Sequence, residues 1–201
     1  MDHEALTARY QAFIFELGDV LYPEKDYLLQ VYYLFAQFME YTIQIDAQEI
    51  LSFMQQEYQE RGALDIFEKT KAKFHIEDQY QLNFDLLNRN AKLPLKLLMY
   101  PEMIILLKKL IHSGKQVFLL TAGNPEQQLN KLRQLEWEGL AQHIKVYFTD
   151  EITLKTNPEA IQFVLQAHDL QSDETVFVGR DIADENMAAA AGVNFLKADK
   201  L

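Results

Sequence analysis

A chain of 201 residues with 49% hydrophobic side chains is long enough for one substantial core and a smaller subdomain, and needs neither disulfides nor a structural metal to stay folded. The absence of cysteine excludes thiolate nucleophiles, thiolate zinc sites and disulfides. A formal net charge of −11, with no clustered Lys/Arg stripe to override it, argues against nucleic acid as a partner.

The first ten residues are polar and carry Asp2 and Glu4, a pattern unlike a secretory signal. The apolar run at Met103–Leu107 stops at Lys108 and Lys109, short of the ~20 residues a membrane span requires. A cytoplasmic protein without membrane association is expected.

From Ala12 to Leu17 the run Ala-Phe-Ile-Phe-Glu-Leu is short, aromatic and almost continuously apolar, as in a parallel strand buried on both faces. The segment from Glu24 to Pro94 does not alternate between strand and helix. It offers long helix-compatible stretches rich in Gln, Leu, Tyr and Phe, with breaks expected at Ile43–Ala47 and Gly62. Its aromatics Tyr27, Tyr32, Tyr33, Phe35, Phe38 and Tyr41 are expected to pack that segment's own core.

Beyond it, strand-like runs recur at Gln116–Thr121, Lys145–Phe148, Thr175–Gly179 and Val193–Leu196. Helical patterns lie around them at Pro101–His112, Pro125–Leu135, Pro158–His168 and Asp184–Ala191, three opened by a proline suited to the first helical turn. Such alternation predicts right-handed βαβ units in a doubly wound parallel α/β sheet. The expected division is a core of residues 1–22 and 95–201 with an inserted all-helical subdomain over 23–94.

In doubly wound sheets, ligands collect at the carboxyl ends of the strands, so the residues there are the candidate site. They are Glu16-Leu17-Gly18-Asp19 after the first strand, Thr121-Ala122-Gly123-Asn124 after the second, Lys155 ahead of a later helix, and Gly179-Arg180-Asp181-Ile182-Ala183-Asp184 after the fourth. The histidines His3, His75, His112, His143 and His168 are scattered without metal-ligand spacing, and no nucleophile elbow, Walker loop, dinucleotide fingerprint or His-Glu-x-x-His is present.

The order and spacing of these strand ends resemble the haloacid dehalogenase-like (HAD) hydrolase superfamily, from about Ala12 to Leu196. The helical insert after the first strand is similar to the cap of the phosphoglycolate-phosphatase type. The resemblance implies a Rossmann-type core and a phosphoryl-transfer site. In it an Asp at position 16 attacks phosphorus and an Asp at 18 serves as general acid and base. Mg²⁺ bridges the attacking carboxylate and the phosphoryl oxygens, held in part by an Asp at 180. Thr121 and Lys155 would hold the remaining phosphate oxygens, and Asp184 matches the family's last acid.

This chain departs from that pattern where the chemistry is concentrated. Glu16 stands at the nucleophile position, its carboxylate moved by roughly 1 Å or more, an error that can cost ~10²-fold. Gly18 replaces the acid/base residue, whose contribution is typically ~10²–10⁴-fold. Arg180 puts a fixed cation where a metal-binding anion belongs. Thr121, Lys155, Asp181 and Asp184 remain. Arg180 is therefore expected to pair with Glu16, and with Asp184, in place of a metal, while Asp19 falls one position too late to replace either lost acid.

Three readings follow. One is a HAD-like protein, impaired as a phosphohydrolase, that keeps a pocket for an inorganic anion or small phosphorylated molecule built from Thr121, Lys155, Arg180 and the amides near Gly18. A second is an atypical phosphomonoester hydrolase using Glu16, with Mg²⁺ moved onto Asp181 or Asp184. A third is an interaction module acting through the helical insert. No metal ligands and no cofactor are assigned except Mg²⁺ in the second reading, and no oligomeric state is fixed.

Overall fold

The computed structural model describes residues 3–152 and 158–200. Lys155 lies outside the described residues. The chain divides into two compact units, one of Met1–Pro23, Leu98–Leu129 and Leu135–Leu201, the other of Glu24–Leu97 and Asn130–Gln134.

The first unit is built on a five-stranded parallel sheet. Its strands are β1 (Ala12–Phe15), β3 (Gln116–Thr121), β5 (Ile144–Phe148), β6 (Thr175–Gly179) and β7 (Asn194–Lys197); the two-residue strands β2 (Leu97–Leu98) and β4 (Leu135–Glu136) lie outside it. The spatial order is β5-β3-β1-β6-β7, so the chain runs outward from β1 to one edge and returns to β6 on β1's other side. Residue Phe15 of β1 faces Leu119 of β3 and Val178 of β6. The topological switch therefore lies between the carboxyl ends of β1 and β6, where such sheets place their ligands.

All four β1 residues are fully buried, which accounts for the unbroken apolar run: a central strand covered on both faces has no polar side to show. With a side-chain period of two, Ala12 and Ile14 join Phe118, Leu120 and Phe177 under α9 (Glu159–Ala167) and α10 (Ile182–Ala191), which contribute Ala160, Ile161, Val164, Ala188 and Ala191. On the opposite side Tyr10, just past α1 (His3–Arg9), sets its ring edge-on to Phe13 at 6.0 Å. The helix α6 (Pro101–His112) buries Met103, Leu106, Leu107 and Leu110, an i, i+3, i+4, i+7 stripe.

The second unit contains α2 (Glu24–Ile43), α3 (Ala47–Arg61), α4 (Ile66–Phe74) and α5 (Gln81–Asn90). The breaks fall at the expected places. Asp46 caps α3 by accepting from the Glu49 N–H at 2.9 Å, and Gly62 ends it with φ +74°. The core gathers Tyr32, Phe35, Ala36 and Met39 of α2 with Ile50, Met54, Phe67 and Phe84; the Phe35 and Phe84 rings meet edge to face at 5.1 Å. Two of the aromatics expected to be buried here are exposed instead. Tyr33 is 42% and Tyr41 90% exposed, because the buried stripe of α2 runs through 27, 31, 35 and 39 and both tyrosines lie off it.

In chain order α7 (Pro125–Gln134) follows β3 and α8 (Thr149–Ile152) follows β5. Among the described residues no helix is long and apolar enough to cross a membrane.

Candidate functional site

Past Phe15 the β1 backbone continues one more step in register, the Glu16 N–H donating to the Val178 carbonyl at 3.0 Å. The chain then turns. Asp19 adopts a left-handed φ of +56°, its N–H donates to the Tyr22 carbonyl at 2.8 Å, and Leu21 N–H to Leu17 O at 3.0 Å. The residue carrying the left-handed turn is thus Asp19 rather than Gly18, and a short polar side chain is among the few that tolerate it.

Across the switch, β6 ends at Gly179, and α10 begins after Arg180 and Asp181. Asp181 is the N-cap of α10, its Oδ1 accepting from the N–H groups of Ala183 at 2.9 Å and Asp184 at 3.1 Å. Asp184 folds back so that its Oδ2 accepts from the Arg180 N–H at 2.8 Å. Gly179 makes room for this, since a Cβ there would lie 2.6 Å from the Asp184 Cβ and 2.7 Å from its Oδ2.

The Arg180 guanidinium pairs with Asp19, Nη1 to Oδ2 at 3.0 Å, and with Asp181, Nε to Oδ2 at 3.5 Å. The expected ion pairs with Glu16 and Asp184 are not the ones formed. The left-handed turn swings Asp19 toward β6, while the Asp184 carboxylate is committed to the Arg180 backbone. Partial burial acts to lower the Arg180 pKa; the fields of Glu16, then Asp19, Asp181 and Asp184 outweigh it, and the net shift is upward. Glu16 therefore belongs to the same electrostatic cluster without being Arg180's direct partner.

At the end of β3 the buried Thr121 hydroxyl faces two acceptors, Glu16 Oε1 at 3.3 Å and Gln128 Oε1 at 3.4 Å. Its carbonyl accepts from the Thr149 hydroxyl at 2.9 Å. In the following turn Gly123 has φ +105°, and its N–H donates to Asp150 Oδ1 at 3.2 Å. Asn124 caps α7 by accepting from the Gln127 N–H at 3.1 Å.

Structure thus brings together Glu16, Thr121, Arg180, Asp181 and Asp184, with Asp19 beside them. Gln128, Thr149 and Asp150 complete the site and went unread in the sequence. The signal for the last two was the end of β5, a strand terminus of the same kind as the others. A cavity of about 190 Å³ lies here, lined by Glu16, Leu120, Thr149, Arg180, Asp184 and Met187 among others. It is below the ~300–1,000 Å³ of most small-molecule sites, so a ligand held wholly inside it is small.

The donor set does not suit Mg²⁺, which demands near-octahedral oxygen ligands. The residue at the metal-ligand position is a guanidinium, Asp181 is taken by a helix cap, and Asp184 by a backbone amide. Among the described residues no three acidic or imidazole side chains converge to hold a metal ion.

Comparison with known proteins agrees with this fold. The family model described as haloacid dehalogenase-like hydrolase matches residues 13–198. Among solved structures, the chain is similar to a HAD phosphatase from Thermococcus onnurineus, with 19% identity, 92% of this chain and 84% of that one covered, and a TM-score of 0.58. It is also similar to the L-2-haloacid dehalogenase from Xanthobacter autotrophicus with chloropropionic acid covalently bound, at 15% identity, 92% and 76% coverage and a TM-score of 0.55. A hydrolase from Streptococcus pneumoniae matches at 17% identity over 94% of this chain and 92% of that one, with a TM-score of 0.56. No curated protein matches the chain in sequence. With a Rossmann-type sheet, a site at its switch point and a model match over nearly its whole length, the chain belongs to the haloacid dehalogenase-like hydrolase family.

Proposed function

We propose that this chain is a HAD-family protein impaired in phosphoryl transfer, which keeps the strand-end pocket as a binding site for an inorganic anion or a small phosphorylated molecule. The observation that carries the reading is the Arg180–Asp19 ion pair at 3.0 Å. It puts a neutralised cation where catalysis would require an anion and a divalent metal, next to a position, Gly18, that has no carboxyl group.

Phosphoryl transfer with a carboxylate nucleophile needs that nucleophile in line with phosphorus and a second group to move the leaving-group proton. Glu16 supplies a carboxylate on the longer side chain, tethered to Thr121. The Asp19 carboxylate is engaged by the Arg180 guanidinium at 3.0 Å. The groups proposed for binding are the Thr121 hydroxyl, the Arg180 guanidinium and the backbone amides near Gly18, with Lys155 a further cation in this reading. The helical unit is taken as the cap subdomain.

The test is release of p-nitrophenol from its phosphate ester by the purified chain, with and without Mg²⁺, beside calorimetric titration with inorganic phosphate. Phosphate binding without Mg²⁺-dependent turnover is the expected result. Turnover abolished by Glu16→Ala would overturn the impairment; an absence of heat with phosphate and small phosphomonoesters would overturn the pocket.

A further inference from the structure

The backbone N–H groups at the carboxyl edge of the sheet are the natural anion-binding elements of this fold, and among the described residues four sets of them already have side-chain acceptors. Ala183 and Asp184 are held by Asp181, Arg180 by Asp184, and Gln127 by Asn124. Asp181 and Asn124 are helix N-caps, and Asp184 acts within its own loop, so these three contacts serve local structure.

The fourth is different. Asp150 comes from the short α8 after β5, 27 residues away in sequence, and its Oδ1 accepts from the Gly123 N–H at 3.2 Å. That N–H lies in the turn between β3 and α7, two residues past Thr121. The residues just before the two partners, Ala122 and Thr149, both line the cavity. A carboxylate from elsewhere in the chain thus holds an amide two residues past Thr121, next to residues of the cavity wall. The contact is remote in sequence and is not part of a helix cap.

We propose that Asp150 is a specificity-determining residue, an internal carboxylate standing in for a ligand oxyanion at the Gly123 N–H, so that a phosphate-like anion enters only by displacing it. This rests on the anion-pocket reading given above. A chloride-sized or weakly coordinating anion gains too little from one amide and one hydroxyl to expel a like charge. A phosphate, with several acceptor oxygens and more than one charge, gains more. Asp150 thereby sets a threshold on the charge of what binds.

The experiment is titration of inorganic phosphate into the full chain and into Asp150→Ala, Asp150→Asn and Glu151→Gln, with the Gly123 amide resonance followed by NMR. Asp150→Ala removes the internal ligand and is expected to tighten phosphate binding about tenfold, as loss of an adjacent like charge implies, with the Gly123 resonance shifting on titration. Asp150→Asn keeps an acceptor while removing the charge and should fall between. Glu151→Gln makes the same charge change on the same helix without touching Gly123, and should bind like the unaltered chain. Equal affinity in all four overturns the role of Asp150 and leaves the pocket standing. A gain in Glu151→Gln matching that of Asp150→Asn overturns it as well, because general charge would then set the affinity. Loss of phosphate binding in every chain overturns pocket and proposal together.

Discussion

Arg180 and Asp19, 161 positions apart in sequence, join the loops after β6 and β1 through a 3.0 Å contact between Nη1 and Oδ2. Both side chains are nearly half exposed, at 47% and 43%, so the pair is screened by water. It is expected to contribute no more than ~1 kcal/mol to stability. A double-mutant cycle with Arg180→Ala and Asp19→Ala, read by urea denaturation, measures this. A coupling energy well above that figure would mean that the pair is structural rather than a substitute for metal chemistry.

Reversing the three departures should restore metal binding. The combination Glu16→Asp, Gly18→Asp and Arg180→Asp replaces a cation by an anion and adds a second acid, so Mg²⁺ affinity measured by calorimetry should rise from none detected to a measurable heat. Hydrolysis of p-nitrophenyl phosphate should increase by at least ~10²-fold, the lower bound for regaining a positioned acid/base group. Restored Mg²⁺ binding without any gain in rate would show that the loss of turnover lies elsewhere in the site.

Gly179→Ala tests the packing at the end of β6. The new methyl would lie 2.6 Å from the Asp184 Cβ, so Asp184 must move and release the Arg180 N–H. Overpacking of this kind typically costs ~1–3 kcal/mol, seen as a lowered denaturation midpoint. Asp181→Ala should cost ~0.5–2 kcal/mol through the loss of the α10 cap, and Asp181→Asn, which keeps the acceptor, much less.

His168 gives a pH dependence. Burial, then the nearby Lys145, hold its pKa below the ordinary ~6.5, while its Nε2 lies 2.7 Å from the Tyr147 hydroxyl and its Nδ1 3.2 Å from Lys145 Nζ. The unfolded chain takes up this proton more readily than the folded one. The contribution is thus complete above about pH 6.5 and is lost as pH falls from there through the lower folded value. The urea midpoint of His168→Gln should show less of this acid-side decline than the unaltered chain, and identical slopes would reject the assignment.

The sheet was legible because burial on both faces leaves a strand little freedom of composition. Ala12–Phe15 and Thr175–Gly179 read as apolar runs for the same reason that they lie at the centre of the sheet. The site's positions were legible too, since topology places ligands at strand ends. Its pairings were not. Which carboxylate meets Arg180 depends on a single left-handed residue, Asp19, and register counting along the loop assumes that no such turn occurs. Gln128, Thr149 and Asp150 escaped because they enter from α7 and the end of β5, segments that carry no motif of their own. Tyr33 and Tyr41 failed for a third reason: a helix with aromatics all around it does not announce its buried side.

The strand order has one more consequence. A five-stranded open sheet leaves two outer strands, here β5 and β7, each with a row of backbone groups that another chain could pair with. Both carry a lysine, Lys145 in β5 and Lys197 in β7, and positive charge on a sheet margin discourages the association of one molecule's border with its neighbour's. A lysine on each outer strand is one of the ways in which such borders are blunted against pairing with another chain.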